Sequence, residues 1–348
     1  MAQNEHLFPY RWYLRDGYPA KGIKPNGLKV FGTFICGGGS TMGYKLAGFE
    51  HLGGVELDPS IAAIYKTNHH PKYLYVEDIR DFNERTDLPD ELYQLDLLDG
   101  SPPCSTFSMC GSREKAWGKN KRFAEGQKKQ RLDDLVFVYC ETINKLQPRT
   151  FILENVSGLI KGNAKAYTRE ILRRIDAAGY TAQVFLLNAA TMGVPQQRER
   201  VFIIGHKKEL QLPKLVLDFN EPPITFGNII DRNDRTNNLS DLNNMLWKKR
   251  QPTDENLSDI NLRERKIMSR FNCLIVHSNR VCGTLTTSDM MLYEMPRKMN
   301  KSERFAVGTF PQDYQDADTK FEFLTGMSVP PVMTAQIAHQ IYEQWLKE

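Results

Sequence analysis

The sequence lacks the features that mark secreted and membrane proteins. Its 348 residues include six cysteines, and none of them forms a CxxC pair or a zinc-like spacing. No apolar run approaches the ~20 residues that span a bilayer, and the N-terminus has no basic segment followed by an apolar one. These absences favour a reduced, cytoplasmic protein with free thiols, no membrane partner and no metal site.

Excess positive charge is confined to one segment. The formal net charge is +4, and residues 113–131, REKAWGKNKRFAEGQKKQR, carry a local charge of +6, so the other residues together carry −2. The ordinary interpretation is a solvated run of charges. We favour a phosphate-contacting loop, because Trp117 and Phe123 alternate with the charges and the segment follows a Pro-Pro-Cys turn.

Apolar segments of strand type alternate with helical patterns through the first 206 residues, and the chain is long enough for two domains. Strands are predicted at 28–36, 52–58, 73–76, 94–100, 150–155, 180–189 and 200–206, and helices at 59–70, 132–147 and 165–179. Asp58 followed by Pro59 is a typical helix start. The alternation predicts an α/β fold with a doubly wound, mostly parallel sheet, whose ligands bind beyond the carboxyl ends of the strands.

A glycine-rich run follows the first predicted strand, and an acid follows the second. The run 37-GGGSTMG-43 with Glu56 is typical of nucleoside binding, in which the acid accepts hydrogen bonds from ribose. The strict GxGxxG pattern fails at Ser40 or at Met42, depending on the starting glycine. A nucleoside ligand without a phosphate cradle, such as S-adenosylmethionine, therefore fits at least as well as NAD. A plain turn between strand and helix is the alternative.

Two prolines precede Cys104 in 100-GSPPCSTFSMCG-111. Proline fixes φ near −65° and so holds a loop at little entropic cost. A buried structural cysteine needs no such support, whereas a nucleophile must meet its substrate in one geometry. The turn is therefore compatible with a nucleophile. Cys36, Cys140, Cys273 and Cys282 are interpreted as apolar core residues, whereas the role of Cys110 stays open.

The motifs of the chain occur in a recognisable order. They are FICGGG with GYKLAGF, VELD, EDI, GSPPCSTFSMCG, ENV, VPQQRERVFIIG, GTLTT, RFAVGTFPQDY and GMSVPP. On these motifs the sequence resembles the cytosine-C5 DNA methyltransferases over most of 28–205 and again over about 280–340. The resemblance implies a Rossmann-like, S-adenosylmethionine-dependent catalytic domain and a smaller DNA-recognition domain. The implied segments are an N-terminal extension at 1–27, the catalytic domain at 28–206, target recognition at 207–322 and a return to the catalytic domain at 323–348.

The resemblance implies methyl transfer from S-adenosylmethionine to carbon 5 of a flipped-out cytosine in duplex DNA. In this reaction the thiolate of Cys104 would add to carbon 6 of the cytosine, which makes carbon 5 nucleophilic. Glu154 would protonate N3, Asn155 would tie the loop to the backbone, and Arg200 would contact O2 with Arg198 beside it. The implied catalytic set is Cys104, Pro103, Glu154, Asn155, Arg198 and Arg200. The ordinary alternatives are a strand-end salt bridge for Glu154 and surface positions for the two arginines.

The resemblance also implies the cofactor site. The implied contacts are Phe34, Gly38 and Gly39 around the cofactor, Glu56 on the ribose, Asp78 and Ile79 at the adenine, Leu135 near the pocket wall, and Ser328 and Val329 at the methionine end. Because the target base must leave the duplex, the segment 105–131 is interpreted as a loop that closes over DNA, with glycines as hinges.

Several positions depart from the family pattern. Cys36 stands where glycine is usual, Met327 where asparagine is usual, and Ser105 where glutamine is frequent. These changes are expected to lower cofactor affinity without removing a catalytic group. The aromatic-rich residues 1–27 are expected to pack on the large domain rather than touch DNA.

Three alternatives to a DNA methyltransferase stay open. The same chemistry could act on tRNA, the chain could be a catalytically silent DNA-binding relative, or it could be an NAD-dependent oxidoreductase, which the failed dinucleotide pattern disfavours. For the leading interpretation the expected partner is double-stranded DNA, with a cognate restriction endonuclease acting separately, and the expected oligomeric state is a monomer.

Overall fold

A computed structural model describes residues 6–18, 22–103, 134–162, 164–268, 273–317 and 321–347. Cys104 and the basic segment 105–131 lie outside the described residues. The chain divides into two compact units, each discontinuous in sequence. The sheet unit comprises Gly22–Asn188, Glu199–Asp218 and Thr334–Glu348, and the second unit comprises Met1–Lys21, Ala189–Arg198 and Phe219–Met333. The functional roles assigned above to the four sequence segments remain predictions.

One sheet dominates the sheet unit. Within the described residues its strands are β1 Lys29–Thr33, β2 Glu50–Val55, β3 Tyr73–Tyr75, β4 Leu97–Gly100, β5 Thr150–Val156, β6 Tyr180–Asn188 and β7 Glu199–Lys207. Their spatial order is β3-β2-β1-β4-β5-β7-β6. The first five strands pair parallel with one another, and β7 runs antiparallel to both β5 and β6. The predicted α/β fold with a mostly parallel sheet is confirmed.

Helices follow most of the parallel strands, as predicted. The helices of the described residues are α1 Gly39–Leu46, α2 Pro59–His69, α3 Ile79–Glu84, α4 Leu135–Leu146, α5 Ala164–Ala177, α6 Asp241–Lys248, α7 Leu257–Arg265, α8 Lys301–Val307, α9 Phe321–Met327 and α10 Pro331–Ile341. Asp58 caps α2 by accepting hydrogen bonds from the N–H groups of Ser60 and Ile61, which confirms the predicted helix start. Among the residues that the structure describes, no helix is long and apolar enough to cross a membrane.

One row of backbone pairs crosses the five parallel strands. It joins Tyr75 to Val55, Val55 to Thr33, Thr33 to Gly100 and Gly100 to Leu153. The residues that follow this row on each strand therefore emerge side by side at the carboxyl edge of the sheet. In an open parallel sheet this edge is where ligands bind.

Tyr139 of α4 fixes the end of β4 against β5. Its one hydroxyl hydrogen is shared between the carbonyls of Leu98, at 2.9 Å, and Ile152, at 2.7 Å. A Cβ atom on Gly100 would lie 2.2 Å from the Tyr139 ring, so only glycine fits there. The packing therefore sets the direction in which the chain leaves β4.

The second unit contains the helices α6 to α9 and a pair of short parallel strands, β8 Leu274–Val276 and β9 Met290–Leu292. Arg297 and Glu303 form a fully buried ion pair with two hydrogen bonds of 2.8 and 2.7 Å. Further hydrogen bonds run from the Arg297 guanidinium to backbone carbonyls. Burial of a charge is tolerated when it is paired and hydrogen-bonded in this way.

The N-terminal residues 6–18 pack into the second unit. Phe8, Tyr10 and Trp12 are buried, which confirms that this segment packs. The indole N–H of Trp12 donates to the carbonyl of Thr309 at 3.0 Å, and its own carbonyl accepts from the N–H of Gln312. The expected packing on the large domain is wrong, because these contacts are with residues of the second unit.

We expect Trp12→Ala to lower the free energy of unfolding by about 3 kcal/mol, because it empties the site of a buried indole. Urea denaturation followed by circular dichroism measures the change. Tyr13→Ala is the control, because Tyr13 is 36% exposed whereas Trp12 is 3% exposed. The control is expected to stay within about 0.5 kcal/mol of the unmodified protein. Equal losses in the two variants would contradict the packing of this segment.

Candidate functional site

The turn after β1 is held in an unusual backbone conformation. Phe34, Cys36 and Gly38 have φ values of 57°, 47° and 77°, in the left-handed region that favours glycine. A Cβ atom on Gly38 would lie 2.2 Å from Nε2 of His69, a buried side chain at the end of α2. The close approach therefore requires glycine at 38, and α1 begins at the next residue, Gly39.

Glu56 holds this turn against the end of β2. One of its carboxylate oxygens accepts from the N–H of Cys36 and the other from the N–H of Asp58, both at 2.9 Å. Burial raises the pKa of Glu56, and these N–H donors oppose the shift. Each carboxylate oxygen can accept a further hydrogen bond. Glu56 is therefore placed to accept from a ligand beside the glycine turn.

The other predicted cofactor residues of the sheet unit lie at the starts of helices. Asp78 caps α3, and its carboxylate accepts from the backbone N–H of Arg80 at 2.9 Å and from the guanidinium of the same residue at 3.2 Å. Ile79 and Leu135, the first residues of α3 and α4, are buried in one apolar cluster. The serine hydroxyl of Ser101, after β4, donates to the carbonyl of Phe34 at 3.4 Å.

Asn155 ties the Pro-Pro turn to β5. Its side-chain NH₂ donates to the carbonyl of Pro102 at 3.1 Å, and its side-chain oxygen accepts from the N–H of Val156 at 2.9 Å. The expectation that Asn155 ties the loop to the backbone is confirmed. Pro103 is the last described residue before Cys104, so the hydrogen bond anchors the chain two residues before the predicted nucleophile.

Glu154 and Arg200 form an ion pair at the same edge. The Arg200 Nε and the Glu154 Oε1 are 3.0 Å apart, and the side chains are 15% and 12% exposed. Glu154 pairs with Phe202 in the antiparallel β5–β7 ladder, so Arg200 is its diagonal neighbour on the same face. The structure thus brings two predicted catalytic residues together, in the salt bridge that was the alternative interpretation of Glu154.

Asp99 is a charged residue of this region that the sequence analysis did not single out. It is 4% exposed within β4, and its carboxylate accepts from the hydroxyl of Tyr44 at 2.9 Å. Burial, together with the charge of Glu154, raises the pKa of Asp99 to about 6. The sequence could have indicated Asp99, because an acid within an apolar strand segment is seldom fully buried without hydrogen-bond or charge partners.

Arg198 lies in the second unit and not with Arg200 in the sheet unit. It is 2% exposed, and its guanidinium donates to the carbonyls of Leu285 and Gly326, both at 3.1 Å. The alternative of a surface position is therefore wrong for Arg198. Its described contacts join two segments of the second unit.

Ser328 and Val329 are buried residues of the second unit. The Ser328 hydroxyl makes no hydrogen bond to any residue that the structure describes. A buried hydroxyl normally has a partner, so this one is suited to a polar ligand atom. The methionine-end contact that the resemblance implies for Ser328 stays a prediction.

Sequence comparison identifies a family. The profile described as C-5 cytosine-specific DNA methylase matches residues 28–343. Type II methyltransferase M.NgoPII of Neisseria gonorrhoeae is 34% identical over 187 residues, which cover 54% of this chain and 50% of that protein. Type II methyltransferase M1.HphI of Haemophilus parahaemolyticus is 27% identical over 337 residues, 90% of this chain and 86% of that protein. The match to M.FnuDI of Fusobacterium nucleatum covers 48% of that protein. This chain therefore spans about half the length of M.NgoPII and of M.FnuDI.

Structural comparison agrees on the fold. A DNA modification methyltransferase encoded within an E. coli prophage has a TM-score of 0.68 at 20% identity, covering 91% of this chain and 99% of its own. A DNMT2 variant of Spodoptera frugiperda has a TM-score of 0.64 at 16% identity, covering 91% of this chain and 100% of its own. At these identities the likeness establishes the fold alone.

We expect Cys36→Gly to raise the free energy of unfolding by about 1 kcal/mol, because it removes the cost of a Cβ atom in the left-handed region. Cys36→Ala is the matched control, since it removes the sulfur and keeps the Cβ atom. Urea denaturation of the three proteins measures the difference. A gain with alanine equal to the gain with glycine would contradict the conformational explanation.

Proposed function

We propose that this chain, which belongs to the C-5 cytosine-specific DNA methylase family, transfers a methyl group from S-adenosylmethionine to carbon 5 of cytosine in duplex DNA. One observation carries the proposal. The Glu154–Arg200 pair emerges at the carboxyl edge of the sheet beside the Pro102 turn, to which Asn155 is hydrogen-bonded. An acid and a cation at this edge of the sheet, next to the turn that precedes the predicted nucleophile in sequence, suit the chemistry that cytosine requires.

The relatives named as Type II methyltransferases support a finer proposal. We propose a sequence-specific modification methylase whose partner is double-stranded DNA, acting in the cytoplasm as a monomer. A restriction endonuclease that cleaves the same sequence would act separately.

The residues of the sheet unit suit the cofactor. Glu56 would accept from the ribose hydroxyls, and the turn at Gly38 and Gly39 would let the ligand approach the backbone closely. Ser328 and Val329 remain the residues that the family resemblance implies for the methionine end of the cofactor. When bound, S-adenosylmethionine supplies an electrophilic methyl group.

The chain itself would activate the base. Because the Glu154 carboxylate is ion-paired with Arg200, it would first take up a proton from solvent. The Cys104 thiolate would then form a bond to carbon 6 while Glu154 supplies that proton to N3, so that carbon 5 becomes nucleophilic. After carbon 5 has gained the methyl group, water would take its proton and the electrons of that bond would expel the thiolate from carbon 6. The proton on N3 would return to the Glu154 carboxylate, which restores the ring. Arg200 would hold the Glu154 carboxyl in place through their ion pair and contact O2.

We expect tritium from labelled S-adenosylmethionine to appear at carbon 5 of cytosine in mixed-sequence duplex DNA. Cys104→Ala is expected to abolish the label, because it removes the nucleophile. Cys140→Ala is the control variant, since Cys140 is a buried thiol of α4. Scintillation counting after digestion to nucleosides measures the product, with an equal amount of tRNA in a parallel reaction. Label in tRNA alone would contradict the DNA substrate, and label that survives Cys104→Ala would contradict the mechanism.

A further inference from the structure

Asp99 joins the strand that leads to the predicted nucleophile to the helix that follows the glycine turn. In β4 it pairs with Gly32 of β1 and Ile152 of β5, in the middle of the parallel sheet. The Tyr44 hydroxyl donates to its carboxylate at 2.9 Å, and the hydroxyl of Ser40 lowers the pKa of that carboxyl. These two residues are four positions apart on α1, so they lie on one face of the helix.

Ser40 lies in the first turn of α1, and its hydroxyl lowers the pKa of the Asp99 carboxyl. Helix α1 begins at Gly39, directly after the left-handed Gly38. On its other side the turn rests on His69, whose Nε2 lies 3.3 Å from the carbonyl oxygen of Gly37. The glycine turn is therefore held from two directions, by a neutral imidazole and by the carboxylate of Asp99.

We propose that Asp99 is a positioning residue of the methyl-donor site, whose ionised carboxylate fixes the start of α1 and thereby the glycine turn that receives the cofactor. The inference rests on the proposed function, since it assigns the turn to S-adenosylmethionine. Asp99 acts through the hydrogen bond that its carboxylate accepts from Tyr44 of α1.

The groups around Asp99 make this support sensitive to pH. It faces Ser40 and Tyr44 from α1, Tyr139 from α4 and Glu154 from β5. Burial and the Glu154 charge raise the pKa of Asp99 to about 6, and the hydroxyl donors oppose the rise. Hydrogen bonds to a charged acceptor are stronger than those to a neutral one. Protonation below about pH 6 therefore weakens the hold on α1.

The test is the affinity of the full chain for S-adenosylmethionine, measured by titration calorimetry between about pH 5 and 8.5, a range that brackets the pKa of Asp99. We expect the dissociation constant of the unmodified protein to rise below about pH 6. In Asp99→Asn it is expected to be about fivefold higher at neutral pH, and its rise near pH 6 should disappear.

Two further variants separate positioning from a general loss of structure. Tyr44→Phe removes a donor that lowers the pKa of Asp99, so the midpoint of the pH dependence should move upward. Asp96→Asn is the matched control. Its carboxylate, at the start of β4, accepts from the N–H of Lys29 and from Arg149, so the control should keep the midpoint of the unmodified protein.

Each outcome decides between the two proposals. If the unmodified protein binds S-adenosylmethionine and Asp99→Asn keeps the same affinity and pH dependence, the role of Asp99 is overturned and the proposed function stands. An unshifted midpoint in Tyr44→Phe also overturns it. If the unmodified protein does not bind S-adenosylmethionine at any pH, both proposals fail. A lost pH dependence in Asp99→Asn with a shifted midpoint in Tyr44→Phe supports the role.

Discussion

The hydrogen-bond register of β4 between β1 and β5 is the constraint on which the candidate site depends. Because Thr33, Gly100 and Leu153 share one row, the glycine turn, the Pro-Pro turn and Glu154 all begin one residue beyond it. A shift of one residue in β4 would turn its side chains to the opposite faces of the sheet. Tyr139 fixes the register through the Leu98 and Ile152 carbonyls.

Buried charge is concentrated near this row, and the structure stabilises each charge by a different means. Glu154 is paired with Arg200 across β5 and β7, whereas Asp99 is stabilised by hydroxyl donors from α1. Two carboxylates close together oppose each other's ionisation, which contributes to the raised pKa of Asp99. The ion pair with Arg200 and the hydroxyl of Tyr44 therefore allow Glu154 and Asp99 to be buried near the same edge of the sheet.

Much of the fold could be predicted from local patterns, because strand composition and helix caps are local properties. Asp58 and Pro59 mark the start of α2 in the sequence as they do in the structure. The placement of Arg198 could not be predicted from local patterns. The chain passes from the second unit to the sheet unit between Arg198 and Glu199, so Arg198 and Arg200 lie in different units. The left-handed φ of Cys36 also has no local signal, since the turn is imposed by Glu56 and His69.

The most direct test of the account is covalent trapping on duplex DNA that contains 5-fluorocytosine, with S-adenosylmethionine present. Fluorine at carbon 5 replaces the proton whose loss frees the thiolate, so the adduct persists and its peptide can be identified by mass spectrometry. The account predicts an adduct at Cys104 that forms at least ~100-fold more slowly in Glu154→Gln. Glu199→Gln, whose carboxylate pairs with Lys161, should react at the rate of the unmodified protein. An adduct on another residue, or trapping in Glu154→Gln at the unmodified rate, would contradict the account.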